Sequence, residues 1–327
     1  MYEIITFGSA TQDIYFKSKN FLSMKGPKFS GGLGVCFNLG SKIESEDIFF
    51  SSGGGGTNTA AAFSKLGFKT AYCGKVGKDY FGHVICEELE ALKIGTEYVT
   101  QTNKKRTNVS VILMFPGEED RAILVYRGAS DSLEKADIPW QKLKNTGLFY
   151  LAPFSGELAG LTEEIIDFAK KNKIKVAFNP GYNQLTLPSE KIERILGKVD
   201  ILILNQEEAS LVTKIPYKNE KEIFQKLDEL VKGICVMTKG EKGVMVSDGE
   251  YLYTADAIKT NVLDSTGAGD AFGAGFVAGI IKKNDIVFAI QLGIANSTSN
   301  IKKVGAKEGL LKKNQPFQKV EFKKENI

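Results

Sequence analysis

The chain of 327 residues is 43% hydrophobic and 25% charged, carries a formal charge of +4, and contains one histidine, His83. Such a composition suits a globular protein with a sizeable core, organised as one large α/β domain or two smaller ones. A metal site built on several histidines is excluded, a Ser-His-Asp hydrolase would have to rest on His83 alone, and the charge is small for this length.

Short apolar strands alternate with helical segments, the pattern of a βαβ-wound sheet. A first strand is predicted over 3–8, breaking at Gly8-Ser9. The segment 13–52 then lacks a helical period and carries β-like runs at 14–16 and 48–51 around a Gly-rich stretch, Gly31-Gly32-Leu33-Gly34. A helix follows over 58–66, stopped by Gly67, then a strand over 69–76 and a helix near 82–92 with His83 at its head in a structural or surface setting. Segments 108–115 and 121–126 read as a hairpin turning at Pro116-Gly117-Glu118-Glu119-Asp120. Further strands are expected at 148–152, 175–179, 201–205, 234–238 and 243–247, and helices at 162–171, 189–195, 207–212 and 220–231. Two small-residue-rich helices, about 268–281 and 285–299, precede a Lys-rich end. That end reads as a solvated face or tail, because no aromatic residues interleave with its lysines.

This organisation predicts a main α/β domain of residues 1–12, 53–105 and 127–327, and a small β-lid of residues 13–52 and 106–126. Cys36, Cys73, Cys86 and Cys235 show no Cys-x-x-Cys spacing and read as reduced thiols. No apolar run reaches the ~18–20 residues of a membrane span, and no signal-peptide pattern opens the chain. A cytoplasmic protein with neither membrane nor nucleic-acid partner is expected.

The strongest chemical signal is Asp264-Ser265-Thr266-Gly267-Ala268-Gly269-Asp270-Ala271-Phe272-Gly273-Ala274-Gly275. Gly267, Ala268 and Gly269 leave backbone N–H groups uncovered at a helix N-terminus, where the partial positive charge favours an anion such as a transferring phosphoryl group. Asp270, in the first turn beside that anion hole, can take a proton from an attacking hydroxyl. The pattern is neither a Walker A loop nor a dinucleotide fingerprint. A second signal, Ser52-Gly53-Gly54-Gly55-Gly56-Thr57-Asn58, combines close backbone approach with an amide that can donate to and accept from sugar hydroxyls.

Together these segments resemble the two signatures of the ribokinase-like (PfkB-type) carbohydrate kinases. The first runs from Gly53 to Gly67 and on through Gly74-Lys75-Val76-Gly77-Lys78-Asp79-Tyr80-Phe81-Gly82; the second is 264–275. The resemblance implies a ribokinase-like α/β fold with a central, mostly parallel sheet flanked by helices, and an ATP-dependent phosphotransferase with Asp270 as catalytic base. It further implies Asp13, Gly53, Gly54 and Asn58 at the sugar, and Thr238, Gly240, Gly243 and Asn296 at the nucleotide. Asn205-Gln206-Glu207-Glu208 matches an Asn-x-x-Glu motif that places Mg²⁺ through water, with Asn205 also near the nucleotide. Asp264, Thr266 and the backbone around Gly305-Ala306 are similar to a monovalent-cation (K⁺) site of some members.

Departures narrow the acceptor. Thr11 stands where many members have Asn, and Gly55 where members acting on phosphosugars, and ribokinases too, often have Lys. The latter argues against a phosphorylated sugar, whereas Lys105-Arg106-Thr107-Asn108-Val109 faintly resembles a phosphosugar segment in which Arg106 would supply a contact, so a phosphosugar kinase stays an alternative. A free sugar of the ribose or fructose kind is the expected acceptor. A nucleoside is the runner-up, since Tyr15, Phe16 and Phe29 could stack on a base. The alternative of another class is a non-catalytic sugar- or nucleotide-binding regulator, and a homodimer through unpaired lid edges is the expected assembly.

Overall fold

Ten strands form the main sheet in the computed structural model, which describes residues 1–26, 33–115 and 121–327. From one edge they run Gly95–Thr102, Thr70–Gly77, Ile4–Phe7, Leu148–Leu151, Lys175–Phe178, Ile201–Asn205 and Ile234–Thr238, all parallel. Val244–Ser247, Tyr251–Ala255 and Phe322–Asn326 complete the sheet with antiparallel pairings. Phe29, the Gly31-Gly32 pair and the turn 116–120 lie outside the described residues.

The strands are near-continuous apolar runs because both faces are covered. Successive side chains feed opposite layers. Ile4 and Tyr150 pack with helices Gly55–Lys65, Tyr80–Ala91, Ala268–Lys283 and Ile286–Asn300. Ile5, Phe7 and Phe149 pack with Thr162–Lys171, Ser189–Leu196, Gln206–Thr213 and Glu220–Leu230 on the other face. From Ile4–Phe7 the winding proceeds to Thr70–Gly77 and Gly95–Thr102, then resumes on the opposite side at Leu148–Leu151. The strand ends at Phe7 and Leu151 therefore flank a topological switch point, where open α/β sheets leave a crevice.

A separate four-stranded sheet has the order Asp47–Gly53, Thr11–Lys17, Asn108–Met114, Arg121–Tyr126. Its central pair, Thr11–Lys17 with Asn108–Met114, is parallel, and the outer pairings are antiparallel. Within the long 13–52 segment, Leu22–Lys25 and Leu33–Cys36 form an additional two-stranded ribbon.

The structure departs from the predicted elements in several places. The Gly55–Lys65 helix begins three residues earlier than the predicted 58, because tertiary contacts hold glycines that helix propensity would reject. Gly95–Thr102 and Tyr251–Ala255, absent from the predicted set, are strands with mixed exposure. The Lys-rich end is not wholly a solvated tail. Phe322–Asn326 is an edge strand, and Lys324 Nζ stands 3.4 Å from the ring centroid of Tyr251.

Candidate active site

The first strand delivers the chain through Gly8 across the start of the Gly55–Lys65 helix, so the glycine loop lies directly against the backbone of Ser9. Gly56 N donates to Ser9 O at 3.2 Å, and Thr6 Oγ1 donates to Gly56 O at 2.8 Å. Gly54 has φ of 95°, and a Cβ there would press on the Ser9 carbonyl. A Cβ at Gly53 would collide with the Asp13 carboxylate. Close approach explains both residues: the loop, the first strand and Asp13 converge. Asp13 is 5% exposed and its carboxyl is pushed up to about 6 by burial, with a Ser110 hydrogen bond and the Lys307 charge acting the other way.

Asn58, in the first turn of that helix, donates from Nδ2 to Asp270 Oδ2 at 2.8 Å. A carboxylate only accepts, so this contact fixes which end of the amide faces it. Asn58 Oδ1 is then a buried acceptor with no hydrogen-bond partner among the described residues. Asp270 sits in the first turn of the Ala268–Lys283 helix. Protein surrounds it densely, although part of its surface stays open. Burial raises its pKa above the ordinary carboxylate value, and the Asn58 hydrogen bond offsets part of that rise.

Gly267 caps this helix with φ of 78°, in the left-handed region that favours glycine. A Cβ on Gly267 would press on Ala306, but one on Gly269 would meet nothing within 4 Å. The Gly269 face of the helix terminus is open space beside Asp270. It opens into a cavity of about 710 Å³ lined by Thr238, Gly240, Gly243, Ser265, Ala268, Gly269, Phe272, Ser297 and Thr298. Thr238, Gly240 and Gly243 thus share a cavity with the helix terminus.

Asn296 does not join them. It is fully buried, donating to Ala271 O at 2.7 Å and accepting from Leu311 N at 2.9 Å. Helical rotation turns the next two residues, Ser297 and Thr298, toward the cavity instead. Asn205 and Glu208 also lie outside the cavity lining and form a reciprocal cap, Asn205 Oδ1 accepting from Glu208 N and Glu208 Oε2 from Asn205 N, both at 2.9 Å. Burial pushes the Glu208 carboxyl up to about 6, with the Glu207 and Asp270 charges adding to the rise. Among the described residues no cluster of three or more His, Cys, Asp or Glu could hold a metal ion by itself. Asn205 and Glu208 alone offer too few ligands for a protein cage and would suit a Mg²⁺ that keeps most of its waters.

The sequence matches the pfkB family carbohydrate kinase over residues 3–313. The chain belongs to that family. It is similar to a ribokinase of Lactococcus lactis, 32% identical over 84% of this chain and 87% of the relative. It is also similar to an ATP-dependent 6-phosphofructokinase of Thermoanaerobacterium thermosaccharolyticum, 28% identical over 83% and 85%. A ribokinase of Arabidopsis thaliana, solved with ribose and ATP, shares the fold at a TM-score of 0.77 with 22% identity, over 95% of this chain and 96% of that one. The chain is therefore an enzyme, a PfkB-family kinase of a sugar or nucleoside with the ribokinase-like fold.

In this PfkB-family kinase the Asp264 corner is already filled by the chain itself. Asp264 Oδ1 accepts from Thr266 N at 2.9 Å and Thr266 Oγ1 at 2.6 Å, and Oδ2 from Gly305 N at 3.0 Å and Tyr15 OH at 3.4 Å. Arg121 Nη1 stands 3.5 Å from Oδ1. This donor set does not fit a K⁺ ligand. Arg121 and Lys307 are the functional candidates missing from the sequence reading. Lys307 lies within the Lys-rich end, yet it is 3% exposed and donates to Ser52 Oγ. No local signal separates it from its solvated neighbours; Gly305-Ala306 just before it was the only pointer. Arg106, by contrast, is exposed and lines a second hollow of about 320 Å³ with Lys78, Asp79, Lys104 and Lys105. His83 is an exposed surface residue 3.1 Å from Glu87.

Proposed function

We propose that this kinase transfers the γ-phosphoryl group of ATP to a hydroxyl of a free sugar of the ribose or fructose kind. The observation that carries the reading is the Asn58–Asp270 contact. It leaves one partly open carboxylate able to take a proton and, beside it, an unpartnered carbonyl oxygen able to accept a hydroxyl donor. Asp270 takes the proton of the attacking hydroxyl, while Asn58 Oδ1 and Asp13 orient neighbouring hydroxyls. Gly53 and Gly54 let the sugar approach the backbone. The amides of Gly267, Ala268 and Gly269 hold the transferring phosphoryl group at the positive end of the helix. The cavity at Thr238, Gly240 and Gly243 receives the nucleotide, with Ser297 and Thr298 in the place expected of Asn296. When bound, Mg²⁺ would neutralise phosphate charge; Asn205 and Glu208 would hold it through water.

A free sugar is favoured over a nucleoside because Tyr15 is wholly buried, stacked on Phe49 at 4.4 Å, and engaged with Asp264. It has no face left for a base. We read the four-stranded sheet as a lid that excludes water from the transfer, with residues 13–52 and 106–126 as its extent. One face of it serves a second copy in a homodimer. A cytoplasmic location is supported by free cysteines at 36, 73, 86 and 235, and by the absence of a helix among the described residues long and apolar enough to cross a membrane.

An ADP-release screen over free sugars, sugar phosphates and nucleosides with Mg²⁺ tests the reading. Release with a pentose or hexose is expected. Release only with nucleosides or sugar phosphates would transfer the assignment to those acceptors, and release with none, with and without K⁺, would favour the non-catalytic regulator.

A further inference from the structure

Buried charge gathers around Asp264 and Asp13. Asp264 has a side chain only 3% exposed, and Asp13 is 5% exposed. A buried carboxylate needs compensating charge, because an unpaired buried ion is strongly destabilising. The chain provides that charge at Asp264. Arg121, from the strand Arg121–Tyr126, reaches Asp264 at 3.5 Å and donates to Ser265 Oγ at 3.0 Å. Lys307, from the loop after the last long helix, donates to Ser52 Oγ and stands 3.5 Å from Glu88, while its own carbonyl accepts from Lys65 Nζ at 2.6 Å. Burial raises the Asp13 carboxyl to about 6 and the Asp264 charge adds to the rise, while the Ser110 hydrogen bond and the Lys307 and Arg121 charges act against it.

We infer that this kinase supplies its own cation where a monovalent metal ion would otherwise sit: Arg121 balances Asp264, and K⁺ is neither bound nor required. A carboxylate has about four lone-pair positions. At Asp264 four hydrogen-bond donors and the Arg121 guanidinium already approach them. A metal ion there would displace those donors and stand against a guanidinium that cannot lose its charge. The built-in arrangement also joins parts that an ion would otherwise join. Arg121 ties the small sheet to the segment leading into Asp270, and Lys307 ties the 305–307 loop to Ser52, next to Gly53 of the glycine loop.

The requirement for K⁺ in catalysis rests on the kinase reading; its binding does not. The test therefore starts with thermal melting of the full chain in KCl, NaCl and choline chloride at matched ionic strength. The wild type is expected to melt at one temperature in all three, since a ligand stabilises only a state that binds it. A rise specific to K⁺ would overturn the inference. Arg121→Gln opens the corner and is expected to acquire a K⁺-specific rise in melting temperature, whereas Arg121→Lys keeps the indifference of the wild type. An Arg121→Gln protein equally indifferent to K⁺ would remove Arg121 from the role. In the ADP-release assay, K⁺ in place of choline should change the wild-type rate by less than about twofold, and a K⁺-dependent rate would count against the inference. Absence of ADP release under every condition would instead sink the kinase reading, with the melting result still deciding the cation question.

Discussion

Asp270 and Asn58 are 212 positions apart in sequence and meet through a single 2.8 Å hydrogen bond. Replacing Asp270 with Asn should lower kcat by about 10²–10⁴-fold, the usual contribution of a positioned general base, with little change in melting temperature. A near-normal rate in the variant would remove Asp270 from that role. Asn58→Ala should act through the pH profile. The Asn58 hydrogen bond favours the charged carboxylate, so its loss raises the Asp270 pKa further and moves the acid limb of kcat to higher pH. Its rate at the plateau should fall by about 10–100-fold, in line with a lost hydrogen bond to a charged group. Asp13 adds a separate effect: with its carboxyl near 6, KM for the sugar should rise as pH falls through about 6. A KM constant from pH 8 to pH 5 would refute that. At this scale the glycine loop, Asn58 and Asp270 stood out as a candidate site because spacing around glycines is a local property, whereas Asp13 was pointed to only by the family resemblance. Lys307 did not stand out. Its buried partners are Ser52 and Glu88, which no window around residue 307 contains.

The Ala268–Lys283 helix shows how one element can hold opposite demands at neighbouring positions. At Gly269 an added Cβ fits the fold but points into the space assigned to the phosphoryl group. Gly269→Ala should therefore leave stability unchanged or raise it by up to ~1 kcal/mol, the helix preference for Ala over Gly, while weakening ATP use at least tenfold. Gly267→Ala meets Ala306 and a φ of 78°, so it should destabilise the whole protein. The Gln206–Thr213 helix carries a related conflict. The Glu208 carboxyl titrates near 6 rather than at its ordinary 4.5, so its charged form is penalised in the folded state. The sign follows: the penalty is complete above the folded value and fades as pH falls toward the unfolded one. Glu208→Gln should stabilise the protein at pH 8 by on the order of 1–2 kcal/mol, a gain absent at pH 4, while lowering activity about 10–100-fold. Denaturant titration at the two pH values checks it. Most elements of the main sheet were readable because buried parallel strands are uniformly apolar. Phe322–Asn326 was not, since every residue of it is exposed and its pairing partners at Tyr251–Ala255 lie 67 to 75 positions away.

At the scale of the whole molecule, the small sheet presents two unlike faces. Cross-strand register places Asp13, Ser51, Ser110 and Val125 in one row, on the side that carries Asp13 toward the glycine loop. The other side repeats apolar rows: Ile14, Phe50, Val111 and Leu124, then Phe16, Ile48, Leu113 and Ala122. Phe50 and Leu124 are each 61% exposed. The Asp13 side also carries an apolar row, Tyr15, Phe49, Ile112 and Ile123, whose Tyr15 and Ile112 are buried, whereas Phe50 and Leu124 on the other side stay open, and an uncovered apolar patch of this kind marks an association surface. The sequence pointed to strand edges as the contact; the register points to this face. Two copies meeting face to face would bury both patches at once, as a self-complementary twofold contact does. Light scattering on the wild type should then report twice the 35.8 kDa chain mass. Phe50→Asp with Leu124→Asp should shift the mass to a monomer while leaving the main sheet folded. Because Asp13 lies on the opposite face of the same strands, losing the partner should raise KM for the sugar more than it lowers kcat. A monomeric wild type would remove the partner, and a dimer that survives both charges would move the contact elsewhere.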